Sequence, residues 1–514
     1  MRSAGEVVHA EDHPLAVFLA IVAAALLCMA VTGYSFLEGN HEVYLLEPLR
    51  RSGLASFAGD PFVTETLQYH GLFSFVASYL FHWNVAEAGF LIIFLALGFT
   101  LAWAWWRVVR HLGGGIAAFL ASVVAYHVFL GDRALGIYSM LQDGQFNAGN
   151  VAAVGLVVAL AGAFERRWYL AAFGFGLAGG FHLNFSLICP LLFLLLAWKS
   201  GDRWRKLIGP GIVAIGPSVA NVGVALPAKI MAGAGEQMSL ARFVELYAEL
   251  RHPHHYDPLV WPWWVWAVVL APLPLASLAW WRHRDRWSLP GTTLAFFVCL
   301  QAVALVFAGI WYVNETMIQA SLWRFSPHMK WLAVCMGSVW IFNESRRAQL
   351  LAAATLVVSL ISLLIYRGDL EIPVQPTSGR TILQAAAWAR AESPPDSLFL
   401  VPPGVGSAFP VNARRGHVVS FKLVPQLAGE LEPWARRLGD VVGSDDITQY
   451  TGGFTGYEQA RRAMDADYHA RPTNELIDAA RRHDADYVVV LRSDTPDDFE
   501  PVFTADGVAI YEVP

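Results

Sequence analysis

The chain has 514 residues, 55% of them hydrophobic and only 15% charged, with a mean hydropathy of +0.43. A soluble domain of average composition carries about a quarter charged residues, so these values exclude an ordinary soluble enzyme and describe a polytopic α-helical membrane protein with a soluble portion attached. The formal net charge of −6 provides no basic footprint for nucleic acid.

Residues 1–13 are polar, and the apolar run 14–36 is long enough to cross a bilayer core, which takes about 20 residues of helix. It reads as a retained first span, not a cleaved signal peptide. The first loop, 37–85, is too polar to span. It gathers Glu38, His41, Glu42, Glu47, Asp60 and Glu65. Glu38, His41 and Glu42 are spaced i, i+3, i+4 and share one face of a helix. Two carboxylates flanking an imidazole suit a base and its orienter, or a divalent cation. A solvated loop produces the same spacing, so the trio alone decides nothing. Within the loop, 61–83 mixes polar residues with Phe62, Leu67, Leu72, Phe73, Phe75 and Leu80, as in a helix lying along the membrane interface.

Further apolar runs follow at 86–107, 113–131, 149–165, 168–181, 183–198, 207–225, 262–281, 289–310, 330–343 and 348–366, which makes eleven candidate spans. The stretch 168–198 admits one long tilted helix, or two short segments meeting at Gly179, Gly180, His182 and Asn184. Tryptophans cluster at the run ends, as an interfacial belt does. Cys28, Cys189, Cys299 and Cys335 each fall inside a run and read as small buried hydrophobes.

Basic residues set the orientation. Arg107, Arg110, Arg166, Arg167, Lys199, Arg203, Arg205, Lys206, Arg282, Arg284, Arg286, Arg346 and Arg347 crowd into one set of short loops. The much longer opposite loops hold only Arg50, Arg51, Arg133, Lys229, Arg242, Arg251, Arg324 and Lys330. The positive-inside rule then makes the N-terminus cytoplasmic, and the parity requires 168–198 to cross twice. The outer face receives 37–85, 132–148, 226–261, 311–329 and the tail from Arg367, so function is expected there.

The outer loops carry the remaining chemistry. The loop 132–148 contributes Asp132, Arg133, Gln142, Asp143 and Gln145. The loop 226–261 packs Arg251, His252, His254, His255, Tyr256 and Asp257 together. Its histidines lack zinc spacing. A phosphate- or sugar-binding loop with Arg251 as fork donor is the functional reading. Arg324 in the loop 311–329 either anchors its helix or grips a lipid-linked phosphate. His127, His182 and Asn184 lie inside apolar runs, where polar groups are costly and serve either function or structure.

The tail, 367–514, reads as a soluble α/β domain. Helices are expected at 381–391, 457–464 and 474–483, strands at 397–401, 418–421 and 487–491, and a closing hairpin at 502–513. It has no Gly-rich phosphate loop and so no cofactor signature.

The segments GYSFLEGNHEVYLLEPLRRS, GDPFVTETLQYHG, RHPHHYDP and SLWRFSPH, with the closing WARAESPPDSLFLVPP, HDADYVVVL and GVAIYEVP, resemble bacterial members of the GT-C superfamily of integral-membrane glycosyltransferases. The resemblance covers nearly the whole chain in architecture. It implies a transmembrane domain, 1–366, an extracytoplasmic α/β domain, 367–514, and residence in the cytoplasmic membrane. It implies a hexosyl or pentosyl transferase that uses a polyprenyl-phosphate sugar donor and an extracytoplasmic glycan, lipid or protein acceptor. Many members carry an aspartate in the first loop. Here Glu38 and Glu42 stand there, with Asp60 further on, and these are the catalytic candidates. Glu42 leads because Val43–Leu46 would partly desolvate it. His41, Arg251, His252, His254, His255 and Arg324 are the substrate-binding candidates, the arginines for a phosphate leaving group that needs positive charge. The metal requirement is open, with a divalent cation as one candidate. The competing readings are a flippase for a lipid-linked glycan, which would favour internal repeats and mid-membrane charges, and a non-enzymatic polysaccharide assembly component.

Overall fold

The computed structural model describes residues 12–66, 70–131, 133–137, 140–232, 238–344, 380–491, 499–505 and 507–514. Every expected span within these residues is helical. The eleventh, 348–366, lies outside them. Pro14–Thr32, Ala86–Leu112, Leu183–Ser200, Trp204–Pro227, Trp263–Arg282 and Ser288–Ile310 are long and apolar enough to cross a membrane. Shorter apolar helices, Ile116–Phe129, Ala148–Phe164 and Trp168–Phe181, pack among them. This is a multi-pass membrane protein. Cys28, Cys189 and Cys335 are buried as expected, whereas Cys299 lies on an exposed face of the apolar helix Ser288–Leu305.

The stretch 168–198 is a helical hairpin. Helix Trp168–Phe181 ends at His182, whose extended backbone (φ −138°, ψ 125°) cannot continue it. The His182 ring accepts from Asn184 N at 3.3 Å and so caps Leu183–Ser200. Phe175 meets Phe193 at 5.8 Å between ring centroids, and Trp168 Nε1 donates to Asp202 at 2.9 Å across the open end. The hairpin packs tightly on Ala148–Phe164 because the contact residues are small. A Cβ on Gly155 would lie 3.0 Å from Gly174 O. At the open end Arg107 pairs with Glu165 and Arg166 with Asp202.

On the opposite side the first loop folds into short helices, His41–Tyr44, Leu46–Arg51 and Pro61–Thr64, followed by Gly71–His82. The last has two faces. Phe73, Ala77 and Phe81 are buried, while Leu72, Phe75, Tyr79 and Trp83 form an exposed apolar stripe, as an interfacial helix requires.

The tail forms a five-stranded sheet of β1 (Leu398–Leu400), β2 (Gly416–His417), β3 (Tyr487–Val490), β4 (Phe503–Ala505) and β5 (Val508–Glu512), ordered β2-β1-β3-β5-β4. The first three are parallel, and β4–β5 is the expected closing hairpin. Residues 418–421 are not a strand. The ladder stops after His417, and the chain turns so that Phe421 N donates to Pro403 O at 2.8 Å. The helix Ala428–Val442 has no counterpart among the sequence expectations. One hydrophobic core runs unbroken from the spans through Leu45, Leu49 and Phe57 of the first loop into Val418, Phe421 and Trp434 of the tail. A second, built on Ile382, Phe399, Phe409 and Ile510, belongs to the tail alone.

Candidate functional site

A cavity of about 560 Å³ lies between one set of helix ends, the long loops and the tail. One end is apolar, walled by Leu183, Leu187, Val222, Ala225 and Leu226. Leu187 is also part of an exposed apolar stripe with Leu191 and Leu194. The rest of the wall carries the polar residues Asp143, Arg251, His254, Arg324, Lys422 and Tyr457 among apolar ones such as Val43, Val424 and Leu427.

Asp143 sits in a tight turn, Gln142–Gly144, that Asn150 pins from the next helix. The Asn150 side chain accepts from Gln142 N and donates to Gln142 O and Gln145 O, each at 2.8 Å. Asp143 itself adopts φ +57°, left-handed backbone that few residues other than glycine tolerate, and such strain concentrates at functional sites. Its carboxylate faces the cavity and accepts from Asn40 N at 3.1 Å. Gly39 allows this approach, because a Cβ there would lie 2.9 Å from Asp143 Oδ2. Desolvation raises the Asp143 pKa and Glu42 adds to the rise, while Lys422 and the Asn40 N–H oppose it.

Glu42 lies one layer behind the wall, 4% exposed. Its Oε2 accepts from Ser407 Oγ at 2.6 Å and Lys422 Nζ at 3.1 Å. Lys422 Nζ also donates to Gly39 O at 2.6 Å. Burial presses down on the Lys422 ammonium, but Glu42, Tyr457 and Asp143 outweigh it, and its pKa stands above the usual lysine value. The tail thus inserts a cation between the first loop and Asp143. Nothing in the sequence near Lys422 marks it for this place.

The other first-loop candidates are spent on structure. His41 is fully buried, donating from Nε2 to Phe146 O at 2.9 Å and accepting from Leu37 N at 3.2 Å. Burial lowers its pKa to about 4, so it is a neutral strut and does not reach the cavity wall. Asp60, also fully buried, caps Pro61–Thr64 through Phe62 N and Val63 N at 3.0 and 3.3 Å. Its second oxygen accepts from His417 N at 3.1 Å and His417 Nδ1 at 2.7 Å. Every lone pair it would use as a base is taken. Glu38 also stands off the wall; its carbonyl accepts from Gln145 Nε2 at 2.5 Å.

Arg251, His252, His254, His255 and Arg324 all line the cavity, as their loops suggested. A π-helical segment, Val244–Arg251, delivers Arg251, which donates to Lys422 O at 2.8 Å and lies 4.7 Å from the Tyr457 ring centroid. Burial, with neighbouring arginines and histidines, holds His252 and His254 well below the ordinary histidine value and His255 at about 3. Arg324 thus shares the cavity wall with imidazoles that are held neutral. For a divalent cation the donor set fits poorly. Among the described residues no three His, Cys, Asp or Glu side chains converge, and Lys422 occupies the place between Glu42 and the Gly39 carbonyl.

Solved structures of the oligosaccharyltransferase AglB from Archaeoglobus fulgidus share this architecture. The form with an inhibitory peptide and a dolichol-phosphate aligns at TM-score 0.50 and 13% identity, over 92% of this chain and 69% of that one. The form tethered to an acceptor peptide containing the NVT sequon gives 0.50, 11%, 92% and 68%, and the complex with Zn and sulfate gives 0.51, 12%, 91% and 67%. The chain has the GT-C fold. At this identity the likeness is one of fold alone. Residues 380–441 match the model of a domain of unknown function, DUF6798. No curated protein matches the sequence.

Proposed function

We propose that the protein is a membrane glycosyltransferase that moves a sugar from a polyprenyl-phosphate-linked donor to an extracytoplasmic glycan, lipid or protein acceptor. One observation carries the reading. A single cavity joins an apolar stretch of wall, continuous with the exposed helix surface at Leu187, to polar wall that holds Asp143, Glu458 and several cations. That gradient suits a polyprenyl chain with a phosphate at its head. The basic short loops lie in the cytoplasm, and the long loops and the tail from Arg367 lie outside.

Arg324 takes the phosphate. It lines the cavity, as do His182 and Asn184 beside the apolar Leu183 and Leu187. Asp143 is the base. The acceptor hydroxyl oxygen attacks the anomeric carbon, the bond from that carbon to the phosphate oxygen breaks, and the hydroxyl proton passes to Asp143. Its raised pKa suits it to receive that proton. The charge left on the phosphate is met by Arg324. Lys422, held by Glu42, positions Asp143 from behind.

Equilibrium binding of a polyprenyl phosphate to the full chain in nanodiscs tests the reading. Arg324→Ala is expected to weaken binding about 10- to 100-fold, the loss of one charge-assisted hydrogen bond. Wild-type affinity in that variant overturns the placement, and wild-type protein that binds no polyprenyl phosphate overturns the function.

A further inference from the structure

The tail end of the cavity is built differently from the phosphate end. Arg251, His254 and Tyr457 meet there, the His254 and Tyr457 ring centroids 5.6 Å apart and Arg251 4.7 Å from the Tyr457 ring. Each has at least one polar group with no hydrogen-bond partner among the described residues. Arg251 donates to Lys422 O through Nη2 and its Nε is shut in, which leaves Nη1. His254 Nδ1 is shut in, which leaves Nε2. Tyr457 makes ring contacts only, which leaves its hydroxyl. All three side chains line the cavity, and Phe454 adds an aromatic ring to the same wall.

We infer that this cluster is a carbohydrate subsite, and that the acceptor is a glycan held between the loop that carries Arg251 and His254 and the tail. The inference rests on the glycosyltransferase reading and selects one acceptor class from it. A sugar ring presents vicinal hydroxyls, which both donate and accept. A guanidinium donates, and a phenol and a neutral imidazole do either. The His254 imidazole is neutral because burial and the neighbouring His255, Arg251 and Arg133 hold its pKa well below the ordinary value. The aromatic ring of Phe454 offers an apolar face to the C–H side of a pyranose. A peptide would be served by a sheet edge or an apolar groove for a helix. The cavity wall contains no residue of the five strands, and around Val424, Leu427 and Phe454 its tail portion carries Lys422, Gln426, Thr455, Tyr457 and Glu458.

Saturation-transfer NMR on the full chain in nanodiscs tests this with maltose, cellobiose, lactose and chitobiose as probes, and a short peptide carrying an NVT sequence as the contrast. At least one disaccharide is expected to show ring-proton transfer. Its affinity is expected to fall about tenfold in His254→Ala and in Tyr457→Phe, as for the loss of one hydrogen bond. Tyr457→Phe keeps the ring packing, so it remains informative if His254→Ala fails to fold. Polyprenyl phosphate binding is expected to be unchanged in both variants. Absence of transfer from every disaccharide, equal affinity in wild type and Tyr457→Phe, or binding of the peptide in their place overturns the inference. If polyprenyl phosphate still binds in those cases, the glycosyltransferase reading stands and the glycan subsite alone falls.

Discussion

The first loop and the turn at 142–144 use their carboxylates in opposite ways. In the first loop Glu42, Glu47, Asp60 and Glu65 are all paired. Glu47 pairs with Arg50 and Arg51 at 2.8 and 2.6 Å, and Glu65 with Arg437 at 3.3 Å. Asp60 is saturated by two backbone N–H groups and His417, and Glu42 by Ser407 and Lys422. The turn holds one acid, Asp143, and it faces the cavity with one backbone donor. On the proposed reading, the paired acids of the first loop are scaffold and Asp143 is the acid left for chemistry. What separates them is how many lone pairs the fold has already consumed.

The strongest way to break this contrast is Asp143→Asn. Turnover is expected to fall about 10²- to 10⁴-fold, the usual worth of a general base, with melting temperature and donor affinity unchanged. A transfer assay beside a thermal melt checks both. Asp60→Ala is expected to do the reverse. Removing one partner of a buried pair costs about 3–5 kcal/mol, so this variant should unfold at markedly lower temperature, whatever its residual turnover. Wild-type stability in Asp60→Ala would mean that the loop acids are not scaffold.

The helical spans were legible because burial in lipid demands long apolar runs, and charge parity favoured the two-segment reading of 168–198, which is a helical hairpin. The helix expected along 61–83 was legible in its aromatic residues only over Gly71–His82; Pro61–Thr64 is a separate short helix capped by Asp60. The partners of the acids were not legible. Asp60 meets His417 and Glu42 meets Lys422 across more than 350 residues of chain, and no local pattern encodes such pairing. Residues 418–421 looked like a strand because Val418, Val419 and Phe421 are apolar. They are buried against the membrane part and not within the sheet. Asp143 was visible only as one acid among several. Its left-handed backbone and its opening onto the cavity come from tertiary structure.

Two smaller effects sharpen the comparison. His41 has a folded pKa of about 4 against 6.5 when unfolded. The unfolded chain therefore binds the proton first, and stability drains away as pH falls from 6.5 towards 4, by up to about 3 kcal/mol. His41→Gln should flatten that part of the stability–pH curve, read by chemical denaturation at several pH values. Glu42→Gln leaves the Lys422 ammonium with Gly39 O but no carboxylate, at an expected cost of about 1–3 kcal/mol. Because the Lys422 pKa is raised in the fold, the stabilisation from this pair is present below the ordinary lysine value and is lost only as pH rises through the folded one. The deficit of Glu42→Gln should therefore shrink in strong alkali.

The acid limb of the turnover–pH profile, measured with saturating donor for wild type, Asp143→Asn and Glu42→Gln, tests the assignment of the base most directly. The wild-type limb is predicted to lie above the ordinary aspartate range, because desolvation raises the Asp143 pKa. It should persist in Glu42→Gln and vanish from the residual activity of Asp143→Asn. A limb that survives in Asp143→Asn and disappears in Glu42→Gln would contradict the account and return the base to the first loop.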